Sequence, residues 1–226
     1  MAKKIMFNDK YSLTQAVLDG RKTMTRRVCK HDRPDETYDI VFPVFEPNDY
    51  DNDGNIVSPL NYAFGWKNDK GDFAGWNIPK YKVGEVVAIA QSYESLGMNP
   101  EIALNDKDGI GFYTKTKFAP GWGNKMFVRA DLMPHHIRIT NIFIEKLQDI
   151  SDKDCLREGV ELNTRQYECD GTKYYCVRGL GYWRAIGCTN FNTPREAFAA
   201  LIDKVSGKGT WESNPYVFAY EFELID

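Results

Sequence analysis

Between Arg21 and Lys30 the chain places five cations, Arg21, Lys22, Arg26, Arg27 and Lys30, with no acid among them and with Thr23 and Thr25 in their midst. Cations beside hydroxyls are the chemistry of a site for an anion or a polar ligand. The chain as a whole is acidic, with 29 Lys+Arg against 32 Asp+Glu; without those five cations the balance is 24 against 32, so the positive charge is local. The same pattern also fits a solvated turn between two elements. The acidic total argues against avid non-specific binding to long nucleic acid and favours small ligands or short single strands.

The elements around this segment are legible in outline. "KKIMF" (Lys3–Phe7) reads as an opening strand. In "YSLTQAVLDG", Leu13, Ala16 and Val17 recur at helical spacing and Gly20 is the stop. The basic stretch begins as a turn and continues into a strand through "TMTRRV". On a regular strand Lys22 and Thr25 would face opposite sides, whereas Thr23 would share a face with Thr25. From about Lys30 to Lys80 periodicity disappears into Gly, Asn and Asp chemistry, yet Phe42, Phe45, Tyr50, Tyr62, Phe64, Trp66, Phe73 and Trp76 lie there. Linkers are poor in aromatics, so this stretch reads as an ordered insertion over the body of the protein. Its rings could stack on nucleobases or anchor the loop to the core. A concave positive site made by Lys22, Arg26 or Arg27 with at least one of these rings is the expectation.

Beyond the insertion, "EVVAIAQSY", "GIGFYTKT" and "NKMFVRAD" read as strands. "HIRITNIFIEKLQ" alternates Ile137, Ile139, Asn141 and Phe143, a long strand with one buried face. "SDKDCLREGV" opens a short helix capped by Ser151, and "TKYYCVRG" is a hairpin strand in a second insertion. The clearest helix is "TPREAFAALIDKVSG": Thr193 caps it, Pro194 sits in its first turn, Glu196 completes a capping box, and Phe198, Leu201, Ile202 and Val205 form its apolar face. "YVFAYEFELI" closes the chain as a strand. These elements predict an α+β fold, a mixed sheet or small barrel with peripheral helices. The organisation expected is one domain over 1–226, with insertions at about 30–80 and 160–192.

Several classes are argued against. No apolar run approaches the roughly 20 residues of a membrane span, and "MAKKIMFNDK" has no apolar signal core. The expectation is a cytoplasmic protein away from membranes, with its five cysteines as reduced thiols. No Cys-x2-Cys pair occurs, and the neighbours His135 and His136 would point to opposite faces of a strand, so no metal site and no cofactor are expected. Glycine-rich nucleotide loops, His-Glu-x-x-His and Gly-x-Ser-x-Gly are absent as well.

Four blocks in order, "AVLDGRKTMTRRV", "KVGEVVAIAQSY", "HIRITNIFIEKLQDISDKDCLREGV" and "GKGTWESNPYVFAYEFE", resemble the ASCH domain, a branch of the PUA-like β-barrels. The likeness is greatest to the larger phage- and prophage-type bacterial members and covers about half the chain, leaving both insertions out. The resemblance implies a mixed barrel with a cleft over the Gly-Arg-Lys-Thr turn, binding RNA or a modified nucleoside. One small bacterial branch removes the acyl group from N4-acetylcytidine with a Lys, a Thr and a Glu, which fall here on Lys22, Thr25 and Glu158. In that chemistry Lys22 takes the proton of Thr25, Glu158 carries protons between the leaving amine and water, and an arginine (Arg21, Arg26 or Arg27) holds a phosphate or the oxyanion. Many larger members carry Val-Arg-Glu-Thr-Trp where this chain reads Ile89 to Tyr93. Ala90 and Gln91 replace the Arg and Glu, leaving Gln91 to hydrogen-bond a base edge.

Three readings follow. The first is a binding module for RNA or a nucleoside, using Arg21, Thr23, Arg26, Arg27 and Gln91. The second adds amide hydrolysis by Lys22, Thr25 and Glu158, and the third is a protein-interaction domain working through the aromatic insertion.

Overall fold

The computed structural model describes residues 3–42, 62–98, 120–181 and 189–226, and the strand expected at 109–116 lies outside them. Ten strands lie among the described residues: β1 (Lys4–Ile5), β2 (Met24–Val28), β3 (Tyr38–Val41), β4 (Phe64–Asn68), β5 (Phe73–Asn77), β6 (Val86–Ile89), β7 (His136–Lys146), β8 (Glu161–Leu162), β9 (Tyr175–Cys176) and β10 (Tyr216–Leu224). The helices are α1 (Leu13–Leu18), α2 (Tyr93–Leu96), α3 (Asp152–Arg157), α4 (Thr164–Asp170), α5 (Pro194–Val205) and α6 (Thr210–Ser213). The fold is α+β.

Its centre is a five-stranded sheet in the order β1-β6-β7-β10-β2. β1 runs parallel to β6 and the other pairings are antiparallel, so the sheet is mixed. No pairing among the described residues closes it into a barrel; β1 and β2 are its two edges. The edges nevertheless approach, because the Arg27 guanidinium of β2 donates to the Met6 carbonyl just past β1, at 2.8 Å.

β7 departs from simple alternation. Ile137 and Ile139 are buried as expected, but Asn141 is exposed and Ile142 is buried instead. The cause is a bulge: Glu221 of β10 faces Asn141 while Phe222 faces Ile139, leaving Thr140 as the extra residue. One extra residue moves every later side chain to the other face.

α5 packs against α3, α6 and β9, and its buried side chains share one core cluster with the sheet. Its capping box forms, and Phe198, Leu201 and Ile202 are buried, whereas Val205 near the last turn is 38% exposed.

The first insertion is not the loop its composition suggests. β3, β4 and β5 form a three-stranded antiparallel sheet, with residues 43–61 outside the description. The glycines that read as loop chemistry permit close packing here: a Cβ at Gly65 would lie 2.6 Å from the Phe73 ring and 2.8 Å from the Gly75 carbonyl. Phe64 and Trp66 pack against Tyr216 at 6.0 and 5.0 Å between ring centroids, which fastens this sheet to β10. "NKMFVRAD" is also corrected. It forms 3-10 turns at Lys125–Phe127 and Ala130–Leu132, started by the Asn124 side chain accepting the Met126 N–H at 3.0 Å. The second insertion pairs β8 with β9.

Candidate active site

A cavity of about 620 Å³ opens beside the edge strand β2, bounded by Met6 to Asn8, the end of α3 and the apolar face of α5. Lys22, Thr25, Arg26, Arg27 and Glu158 all line it.

The local chain explains how Lys22 and Thr25 share one cavity. α1 stops at Gly20, whose φ of +70° suits glycine, and the N–H groups of Arg21 and Lys22 both turn back to the Ala16 carbonyl, at 2.9 and 2.8 Å. The strand begins only at Met24, so Lys22 still belongs to the turn. The opposite-face rule therefore does not apply to this pair. Thr25 and Arg26 do point to opposite faces, but β2 is an edge, and a cavity at an edge meets both.

Glu158 reaches the cavity from the C-cap of α3, a helix started by Ser151 accepting the Asp154 N–H at 3.1 Å. It lies between two cations. The Lys22 ammonium donates to Glu158 Oε2 at 2.6 Å and to the Glu158 carbonyl at 2.8 Å. The Arg26 guanidinium donates from Nη1 to Glu158 Oε1 at 3.2 Å and from Nε to Glu145 Oε1 at 2.6 Å. Asp154 Oδ2 stands 3.9 Å from Arg26 Nη2, and that nitrogen has no hydrogen-bond partner among the described residues. Lys22, Arg26 and Glu158 are each no more than 4% exposed.

Burial disfavours the ammonium and pulls the Lys22 pKa below the ordinary lysine value. Glu158 opposes this, while Arg27 and Arg26 add to it. Burial likewise holds the Glu145 carboxyl above the usual carboxylate range, against the pull of Arg26. Thr25 is buried, and its hydroxyl has no hydrogen-bond partner among the described residues.

The remaining expected residues lie elsewhere or act differently. Arg21 is outside the cavity, held by Asp19 at 3.0 Å and Glu161 at 3.2 Å. The Thr23 hydroxyl accepts from Arg157 Nε at 3.1 Å and does not line the cavity. Arg27 lines it from the rim and pairs with no carboxylate among the described residues. Gln91 sits apart from the cavity, in the small cluster around Ala90, Tyr93 and Met133, its N–H on the Met133 sulfur at 3.4 Å. Among the described residues no ring from Phe42–Trp76 lines the cavity, Phe45 and Tyr50 lying outside them; Phe7 and Phe198 line it instead. Phe64 and Trp66 are committed to the core, and Phe73 packs against Trp76 in a tilted pair with centroids 4.9 Å apart.

Sequence reasoning missed Glu145 and Asp154. One signal existed for the first: continuing the alternation of β7 puts a charged Glu145 on the supposedly buried face, which calls for a partner or a register shift. The structure has both.

Comparisons with protein-family models, with curated proteins and with solved structures return no match. A desolvated lysine, a carboxylate in contact with it and an unengaged hydroxyl, all lining one cavity, can bind a polar ligand and can move a proton beside a nucleophile. Among the described residues no helix is long and apolar enough to cross a membrane.

Proposed function

We propose that the cavity binds a nucleoside-like ligand and hydrolyses an acyl amide on its base, N4-acylated cytidine being the substrate class of the one small ASCH branch whose Lys, Thr and Glu match Lys22, Thr25 and Glu158. The observation that supports this reading best is the contact of the Lys22 ammonium with Glu158 at 2.6 Å in a cavity that Thr25 also lines. The PUA-like mixed barrel belongs to the same proposal, and the approach of the edges β1 and β2 through Arg27 favours it. The volume of about 620 Å³ lies within the range of roughly 300–1,000 Å³ usual for small-molecule sites.

In the reaction, neutral Lys22 takes the Thr25 proton as Thr25 Oγ attacks the acyl carbon. The tetrahedral oxyanion develops beside the cationic wall of Arg26 and Arg27. As the C–N bond breaks, the lysine returns the proton to the departing amine, leaving an acyl ester on Thr25. Water, deprotonated through Glu158 and Lys22, then attacks the ester, releasing the carboxylic acid and restoring the threonine hydroxyl. The sum is amide plus water giving amine plus acid.

Wild-type protein should release acetate from N4-acetylcytidine, and Lys22→Ala and Thr25→Ala should each lower the rate by on the order of a thousandfold or more. A wild-type rate equal to that of buffer, across N4-acylated cytosines, sinks hydrolysis. Binding without turnover is the second reading, favoured by the way Glu158 engages Lys22 through both carboxylate and carbonyl. Under it, Lys22→Ala weakens nucleoside binding in a protein that never releases acetate.

A further inference from the structure

The positive charge of Arg21–Lys30 is not neutralised evenly. Arg21, Lys22 and Arg26 are each paired with carboxylates. Arg27 and Lys30 have no carboxylate partner among the described residues, and both line a second cavity of about 270 Å³ next to the first. Lys80 joins them there, also without a carboxylate partner among the described residues, its ammonium 5.4 Å from the centre of the Tyr81 ring. Among the described residues the lining of this cavity contains three cations and no acid. Like charges gathered without a counter-charge repel, and the arrangement is relieved when an anion enters.

The walls are fixed in place. The His31 N–H donates to Asn77 Oδ1 and Asn77 Nδ2 donates to the His31 carbonyl, both at 2.8 Å, which pins the chain beside Lys30 to the end of β5. The Lys80 N–H donates to the Tyr220 hydroxyl at 3.0 Å, and the Tyr81 hydroxyl donates to the Lys4 carbonyl at 3.1 Å. The cations therefore stand on a rigid frame of two tyrosines and a short loop.

The two cavities share Met6, Arg27 and Val28. The cavities therefore adjoin along β2, so that one nucleotide can present its base to the first and its phosphate to the second. We infer that the second cavity is a phosphate subsite, so that the preferred ligand is a nucleotide or a nucleotide within a short strand, held by Arg27, Lys30 and Lys80. This rests on reading the first cavity as the nucleoside site.

The test measures binding, separately from turnover. N4-acetylcytidine, its 5′-monophosphate, its 3′-monophosphate and inorganic phosphate are titrated by calorimetry at low salt into wild-type protein and into the Lys30→Ala/Lys80→Ala double variant. At least one monophosphate should bind wild type about tenfold or more tighter than the nucleoside, a difference of about 1.4 kcal/mol. In the double variant that ratio should fall towards one, with the nucleoside as the internal control for folding. Inorganic phosphate should displace the favoured monophosphate from wild type. Equal affinity of wild type for nucleoside and both monophosphates overturns the inference, as does a double variant that keeps the preference. A preference for phosphate without any acetate release leaves the subsite standing and removes only hydrolysis.

Discussion

The two ends of the cationic segment have opposite fates. At the inner end Lys22 and Arg26 are buried and locked to Glu158, Glu145 and the backbone. At the outer end Arg27 and Lys30 are exposed and meet no carboxylate among the described residues. Ten residues of one sequence character thus supply both a desolvated, charge-paired wall and an open cationic rim. Buried cations need partners because losing water is costly, whereas exposed ones need none and stay available to a ligand. Where the segment enters the sheet edge decides which role each side chain takes.

The largest expected effect tests that division. Glu158→Ala leaves Lys22 and Arg26 without the carboxylate they share and should cost about 3–5 kcal/mol in denaturant unfolding. Lys30→Ala, at the other end, should stay within about 0.5 kcal/mol of wild type. Similar costs for the two variants would show that the inner pair is not the buried network described.

Much of the frame was legible in the sequence, and its reasons are local. Thr193, Pro194 and Glu196 announce α5 because a helix start needs a cap within three residues. Gly20 announces the end of α1, and the alternation of Ile137 and Ile139 announces the first half of β7. The partners of the buried cations were not legible from spacing, because Glu145 and Glu158 lie 119 and 132 residues from Arg26. Glu158 was reached through the family resemblance, and Glu145 was not reached. Thr140, the bulged residue, looks like any exposed strand position. The sheet of β3, β4 and β5 was hidden because Gly65, which admits the Phe73 ring, and Gly75, which lies against the His31 ring, read as turn chemistry.

Smaller effects sharpen the comparison. Gly159 follows Glu158 at φ +105°, where a Cβ would come 2.9 Å from Leu13 Cδ2. Gly159→Ala should cost about 1–3 kcal/mol and disturb the Lys22–Glu158 contact, lowering activity more than stability alone explains. Thermal unfolding and initial rates on one preparation check this, and a fully active, equally stable variant would contradict it. Thr193→Ala removes one half of the capping box far from the charges. It should cost about 1 kcal/mol by denaturant unfolding without altering the pH dependence of turnover.

The central claim is that Lys22 works as a desolvated base, and the pH dependence of acetate release from N4-acetylcytidine tests it most directly. A base acts in its neutral form, and burial lowers the Lys22 pKa. The wild-type rate should therefore rise with pH and level off below the ordinary lysine value. Lys22→Arg retains a cation for Glu158 but cannot lose its proton, so it should fold and show no such rising limb. A Lys22→Arg protein with the wild-type rate and profile, or a wild type that releases no acetate at any pH, would contradict the account.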